Sequence, residues 1–194
     1  MLYPKKRPFF YTNFVSTLDG KIAVKSGGYW PIGSKKDHEM LVKLRSEADC
    51  LIHGKNLYKE FGDITRKSLG KTSFKELRKK HGKSPNLPYV VASRNLKKVV
   101  RWLTEKGYKR ILVEGGPTLL GSFLKEGLMD EIYLTISPKI YGNETGKTLT
   151  LVEGILFKPN QVKLKLISVK EIGDEVFLRY AVPRLTSESK RKAP

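Results

Sequence analysis

Twelve residues, Ile111–Ser122 (ILVEGGPTLLGS), constrain this chain more than any other stretch. Ile111, Leu112 and Val113 form a short apolar run of the kind that becomes a parallel strand buried on both faces. Glu114 closes the run, Gly115 and Gly116 break it, and Pro117 stands where the first turn of a helix accepts proline. Thr118, Leu119, Leu120, Phe123 and Leu124 continue at helical spacing. Strand, glycine turn and helix N-terminus therefore follow one another. Unpaired N–H groups and the positive end of the helix dipole favour an anion there, and glycine lets the backbone come close to it. An ordinary strand-to-helix turn has the same spacing. Two nucleotide fingerprints are absent. Ser122-Phe123 stands where a P-loop needs Lys followed by Ser or Thr, and no G-x-G-x-x-G occurs.

The 194 residues suffice for one domain with a real core, expected over residues 1–185, with 186–194 a basic, frayed tail. A formal charge of +19 suits an anionic partner, either a nucleic acid or a phosphorylated small molecule. Cys50 is the only cysteine, which excludes a disulfide framework and a cysteine-based zinc site. No stretch reads as a secretion signal or approaches the roughly 18 apolar residues of a membrane span, so a cytoplasmic protein is expected. One Gln, one Cys and abundant Lys point toward a thermophile.

Pro8–Ser16 reads as a strand, and Asp19-Gly20 before Lys21–Val24 has the form of a hairpin turn. Ser34 is placed as an N-cap, with Met40, Leu41, Leu44 and Arg45 at helical spacing behind it. Ala48–Gly54 repeats the strand-to-glycine pattern. Arg66–Lys83 is basic, with Phe74 and Leu77 as its strong apolar anchors, and reads as a solvated helix or loop. Tyr89–Ser93 is a third strand and Leu96–Lys106 a helix ending at Gly107. Asp130–Ser137 alternates as a strand, and Val162–Ile172 with Glu175–Val182 form a hairpin about Gly173-Asp174. Strand–helix repetition followed by antiparallel strands predicts an α/β three-layer sandwich on a mixed, mostly parallel central sheet. Ligands bind beyond the carboxyl ends of parallel strands. That edge gathers Ser16–Gly20, Gly54–Asn56, Ser93-Arg94 and Glu114–Thr118.

TLDGKIA (17–23), LRSEADCLIHG (44–54), VVASR (90–94) and ILVEGGPTLLGSFLKEGLMDEIYLTISPKIYG (111–142) together resemble the reductase domain of riboflavin biosynthesis. The resemblance runs from about Pro8 to Val182, and its long second half is the specific part. It implies a dihydrofolate-reductase-like fold and NADPH-dependent reduction of a ribosylamino-pyrimidine 5′-phosphate, the ribose becoming ribitol by hydride transfer to C1′. Bifunctional relatives carry a preceding zinc deaminase domain; its H-x-E and P-C-x-x-C ligands are absent here, so the reductase half alone is expected. Position by position, Gly115, Gly116, Pro117, Thr118 and Leu119 would hold the cofactor diphosphate. Ser93 would meet its adenosine side, Arg94 its 2′-phosphate, and Val15 the nicotinamide. Glu114 would face the substrate, with Arg45 on its phosphate, and Asp19 would lie beside the nicotinamide, Asp19 and Glu114 being the catalytic candidates.

Each assignment has a plainer alternative. Asp19 is also a turn former, Arg45 a helix-end cation and Arg94 a surface charge, while Cys50 suits inert core. His38, His53 and His81 lack metal-ligand spacing and read as structural or exposed. The chain also departs from the family. Leu57 and Phe61 stand where a Thr and an Asp contact cofactor and substrate, and Tyr29 replaces a substrate-binding Ser. Asp63 and Arg66 are the candidates to take over, with Arg66 on the substrate. Two other functions stay open: an NADPH reductase of another heterocycle, such as a pterin or folate, and a nucleic-acid-binding protein. The basic stretch lacks the interleaved aromatics that the second would need. A homodimer is expected, with Ile132–Ile136 as its candidate contact.

Overall fold

The structure is a computed structural model that describes residues 7–25, 30–93 and 95–183. Arg94, Tyr29 and the tail expected at 186–194 lie outside the described residues. Nine strands and five helices follow in the order β1 (Phe9–Thr17), β2 (Lys21–Val24), α1 (Lys35–Glu47), β3 (Cys50–His53), α2 (Lys55–Gly70), α3 (Thr72–Lys80), β4 (Tyr89–Val91), α4 (Leu96–Glu105), β5 (Arg110–Glu114), α5 (Pro117–Lys125), β6 (Met129–Ser137), β7 (Thr148–Thr150), β8 (Lys165–Ile172) and β9 (Glu175–Ala181) among the described residues.

Seven strands make one sheet in the order β4-β3-β5-β1-β6-β9-β8. The β4–β3, β3–β5, β5–β1 and β1–β6 pairs are parallel, and β6–β9 and β9–β8 are antiparallel. Side-chain alternation along the inner strands builds two cores from one sheet. Phe10, Cys50, Ile52, Ile111 and Val113 pack on one face against Val100 and Leu103 of α4 and Leu120 and Phe123 of α5. Tyr11, Leu51 and Leu112 point the other way, against Leu44 of α1, Leu69 of α2 and Phe74 of α3. The expected three layers are present, with the hairpin about Gly173-Asp174 at the edge.

Three expectations are corrected. Asp19-Gly20 does not join a hairpin: β1 continues in the parallel sheet, and β2 pairs antiparallel with β7, a strand the sequence reading missed. Gly20 still needs glycine, at φ +79°. Ile132–Ile136 offers no free sheet edge to a second copy, because β6 lies between β1 and β9.

The basic stretch 66–83 is likewise not a uniformly solvated face. Arg78 is 1% exposed. Its Nη1 donates to the carbonyls of Ala48 (2.8 Å), Arg45 (3.2 Å) and Ser46 (3.2 Å), and its Nε to that of Ser84 (2.6 Å). Helix α1 ends without glycine, so its last carbonyls need donors from elsewhere, and a cation suits the negative end of the dipole. Arg78→Ala is expected to cost about 2–4 kcal/mol by urea unfolding, since several buried carbonyls lose a charged donor. Arg78→Lys should recover less than half of the loss, because an ammonium cannot reproduce the fork.

Candidate active site

The parallel strands β1, β3, β4 and β5 end together at one edge, above a cleft of about 2230 Å³. Register places His53 beside both Glu114 and Val91. Helices α2 and α5 start directly after β3 and β5, capped by Gly54 and Gly116 with no side-chain cap on either. These two junctions touch. A Cβ on Gly54 would lie 3.4 Å from Gly115 Cα and 3.5 Å from Gly116 N, while one on Gly115 would lie 2.8 Å from Leu119 Cβ. The first intrahelical bond of α2 runs from Tyr58 N to Gly54 O, so the N–H groups of Lys55, Asn56 and Leu57 precede the helical ladder. Thr118 N–H, following a proline at the first position of α5, is placed alike. Two dipoles thus point their positive ends into the same space.

Beside these amides lies a buried charged cluster. Glu114 is 7% exposed and accepts from Arg45 through Nε (2.6 Å) and Nη2 (2.5 Å). His53 Nε2 lies 3.0 Å from the same carboxylate. An ionised carboxylate can only accept, so Nε2 carries the proton. The other ring nitrogen, Nδ1, meets the Tyr89 hydroxyl at 2.7 Å. Burial pushes the Glu114 carboxyl upward. The Arg45 charge and the hydrogen bonds from Arg45 and His53 outweigh it and hold the group down at about 2. Burial meanwhile pushes the Tyr89 phenol up to about 12.

Of the residues singled out in the sequence, Val15, Arg45, Ser93, Glu114, Gly115, Gly116, Pro117, Thr118 and Leu119 all line this cleft. Two others do not. Asp19 accepts from Thr17 Oγ1 (2.5 Å), Tyr141 N (3.2 Å) and Gly142 N (2.8 Å), tying the loop after β1 to the one after β6. Arg66 turns outward, stacking over Tyr58 and Tyr89 at 5.1 and 5.7 Å and donating to the Tyr58 hydroxyl at 2.8 Å. Asp63, the other candidate replacement, is an exposed partner of Arg66. Helical periodicity explains the outcome. Leu57, Glu60, Phe61, Ile64, Thr65 and Ser68 form the cleft-facing side of α2, while Asp63 and Arg66 fall on the opposite side. Glu60, Thr65 and Ser68 are thus polar groups on that side of α2, and their spacing of five and three residues was the available signal. His53 and Asp37, also at the cleft, carried no local signal of that role.

Comparison with known proteins agrees with this geometry. The family model described as the RibD C-terminal domain matches residues 8–178. A 2,5-diamino-6-ribosylamino-4(3H)-pyrimidinone 5′-phosphate reductase from Archaeoglobus fulgidus is 27% identical, over 83% of this chain and 94% of that one. The protein of the same description from Methanothermobacter thermautotrophicus is 28% identical, over 91% of this chain and 99% of the relative. Among solved structures, a pyrimidine reductase-like protein from Corynebacterium diphtheriae superposes with a TM-score of 0.68 at 20% identity, covering 91% of this chain and 92% of that one. The fold is dihydrofolate-reductase-like.

The Glu114 cluster leaves a signature in acid. The folded pKa lies below the ordinary 4.5, so ionised Glu114 stabilises the fold above that pH, and the contribution fades as pH falls toward about 2. Glu114→Gln, which strands the buried Arg45 charge, is expected to cost about 3 kcal/mol at neutral pH. The gap between the variant and the parent should narrow below pH 4.5, as measured by urea midpoints across the acid range.

Proposed function

The chain belongs to the RibD C-terminal domain family, and on that premise we propose that it is an NADPH-dependent oxidoreductase that reduces the ribosyl group of an amino- or diamino-ribosylamino-pyrimidine 5′-phosphate to ribityl. One observation carries the proposal: two glycine-capped helix N-termini abut at the carboxyl edge of a parallel sheet, over a cleft large enough for a dinucleotide and a second small molecule together.

The residues present fit a dinucleotide. Gly54, Gly115 and Gly116 leave the floor of the bend low, where a side chain on Gly115 would collide with Leu119. Backbone N–H groups there suit a diphosphate, and Ser93, at the end of β4, suits the adenosine side. Lys55, Lys97 and Lys125 also line the cleft, which favours the extra phosphate of NADPH over NADH. A bound nicotinamide dinucleotide supplies the hydride. The chain's own contribution is orientation: Val15 borders the cleft at the end of β1, and Glu114, locked by Arg45 and His53, presents a fixed acceptor to the substrate's N–H groups. Arg45 shares the cleft, so its charge also bears on the substrate phosphate. The exposed apolar side chains of Leu166, Ile167 and Val169 on edge strand β8 support a homodimer.

Two measurements test the proposal. Titration followed by nicotinamide fluorescence at physiological salt should give about micromolar binding of NADPH, weaker binding of NADH, and no competition by nucleic acid. Gly116→Ala should melt like the parent, because its Cβ meets nothing within 4 Å, yet bind NADPH about 10-fold or more weakly, because the methyl enters the phosphate's space. Failure to bind either dinucleotide overturns the proposal. The diamino and deaminated pyrimidine phosphates are then assayed side by side. The diamino substrate is expected to be preferred, as in the names of relatives that match over 94% and 99% of their own length.

A further inference from the structure

Asp37, in the first turn of α1, has no part in the assignments above, and its surroundings are unusual. It lines the cleft, is 8% exposed, and its Oδ1 has no hydrogen-bond partner among the described residues. Its other oxygen packs so close to Gly33 that a Cβ there would overlap it. The neighbouring carboxylate of Glu175 is already taken, accepting from Ser34 N at 2.9 Å and Ser34 Oγ at 2.5 Å. A buried carboxyl oxygen left unpaired is costly and calls for an explanation. Thr135, beside Asp37, stands opposite Val15 in the β1–β6 ladder. Asp37 therefore sits over the end of β1, on the side of the cleft where the nicotinamide and the sugar are expected to meet.

The titratable neighbours agree with a group that holds a proton. Burial pushes the Asp37 carboxyl upward, and the Glu175 charge adds to this; the Thr135 hydroxyl and His38 pull the other way without overcoming it. Glu114, lining the same cleft, is held in the opposite direction by Arg45 and His53. The two carboxyls are thus biased in opposite directions, Asp37 toward holding a proton and Glu114 toward the ionised acceptor, by environment alone.

We propose that Asp37 is the acid that opens the ribose ring of the substrate. The chemistry requires one. As the C1′–O4′ bond breaks, the lone pair of the pyrimidine's exocyclic nitrogen forms the C1′=N bond, and the electron pair departing with O4′ takes the Asp37 proton. Hydride from the nicotinamide then adds to C1′, and the pair in the double bond returns to nitrogen. One proton and one hydride are consumed, the dinucleotide is oxidised, and solvent reprotonates Asp37. The proposal rests on the pyrimidine reductase function above and adds the identity of the proton donor.

The test is a set of variants at one position. Asp37→Asn should lower kcat about 100-fold or more, the usual contribution of a general acid, with dinucleotide affinity by fluorescence and the melting temperature close to the parent's. Because Asp37 acts in its protonated form, the parent's rate should fall on the alkaline side of its pKa, and that limb should vanish in the Asn variant. Formate should restore part of the rate to Asp37→Ala. An Asn variant that keeps the parent's kcat and alkaline limb overturns the proposal. So does one whose lost rate comes with lost cofactor binding or a lowered melting temperature, since that marks a structural role. A parent that binds NADPH but reduces no pyrimidine phosphate removes the functional assignment itself, a result distinct from either.

Discussion

The burial of one negative charge organises this molecule. Glu114 closes the strand that lies between β3 and β1 in the sheet, and at 7% exposure its carboxylate is tolerable only if paired and hydrogen-bonded. Arg45 provides the pairing, which requires the last turn of α1 to arrive over the end of β5. That turn lacks a glycine cap, and Arg78 reaches from α3 to hold its carbonyls. His53 provides the third contact and is itself oriented by Tyr89 on the neighbouring strand. Removing a contact anywhere along this series changes the geometry at its end, in the cleft.

The cleft therefore has two electrostatic halves built by different means. One half is backbone: the glycine-capped starts of α2 and α5, whose field needs no side chain and cannot be titrated. The other half is side-chain charge held in fixed pairs, where Glu114 meets Arg45 and His53. A phosphate suits the first half and the N–H groups of a heterocycle suit the second. The net charge of +19 sets the sign of the long-range field, but these local arrangements decide what binds where.

How far the sequence discloses this depends on the range of each interaction. The strand–glycine–proline junction at 111–117, the Ser34 cap and the hairpin about Gly173-Asp174 are local, so a few neighbouring residues specify them. Pairing of β2 with β7 joins residues more than a hundred positions apart, and nothing at Asp19-Gly20 distinguishes it from a hairpin. Arg78 looks like any lysine-rich surface cation until the end of α1 is placed against it. A linear motif takes residues 55–70 one after another, whereas a helix sorts them by face. That sorting turned Arg66 away from the cleft and brought Thr65, only 4% exposed, to it.

The same helix accounts for the departure at Leu57 and Phe61. With Ile64 they lay an apolar stripe on the cleft-facing side of α2, beside Glu60, Thr65 and Ser68, and Phe61 and Ile64 are 38% and 65% exposed. Across the opening, Trp30 is 48% exposed and packs edge-on against Tyr141 at 5.6 Å. Large apolar groups left open around a charged cleft are unfavourable in water and become favourable when a planar ring system covers them. Covering them also excludes water, which strengthens every fixed charge inside. Leu57 and Phe61, at positions where the resemblance expects a Thr and an Asp, thus leave a drier wall on this part of α2. The polar work then falls on groups whose charges the fold already controls.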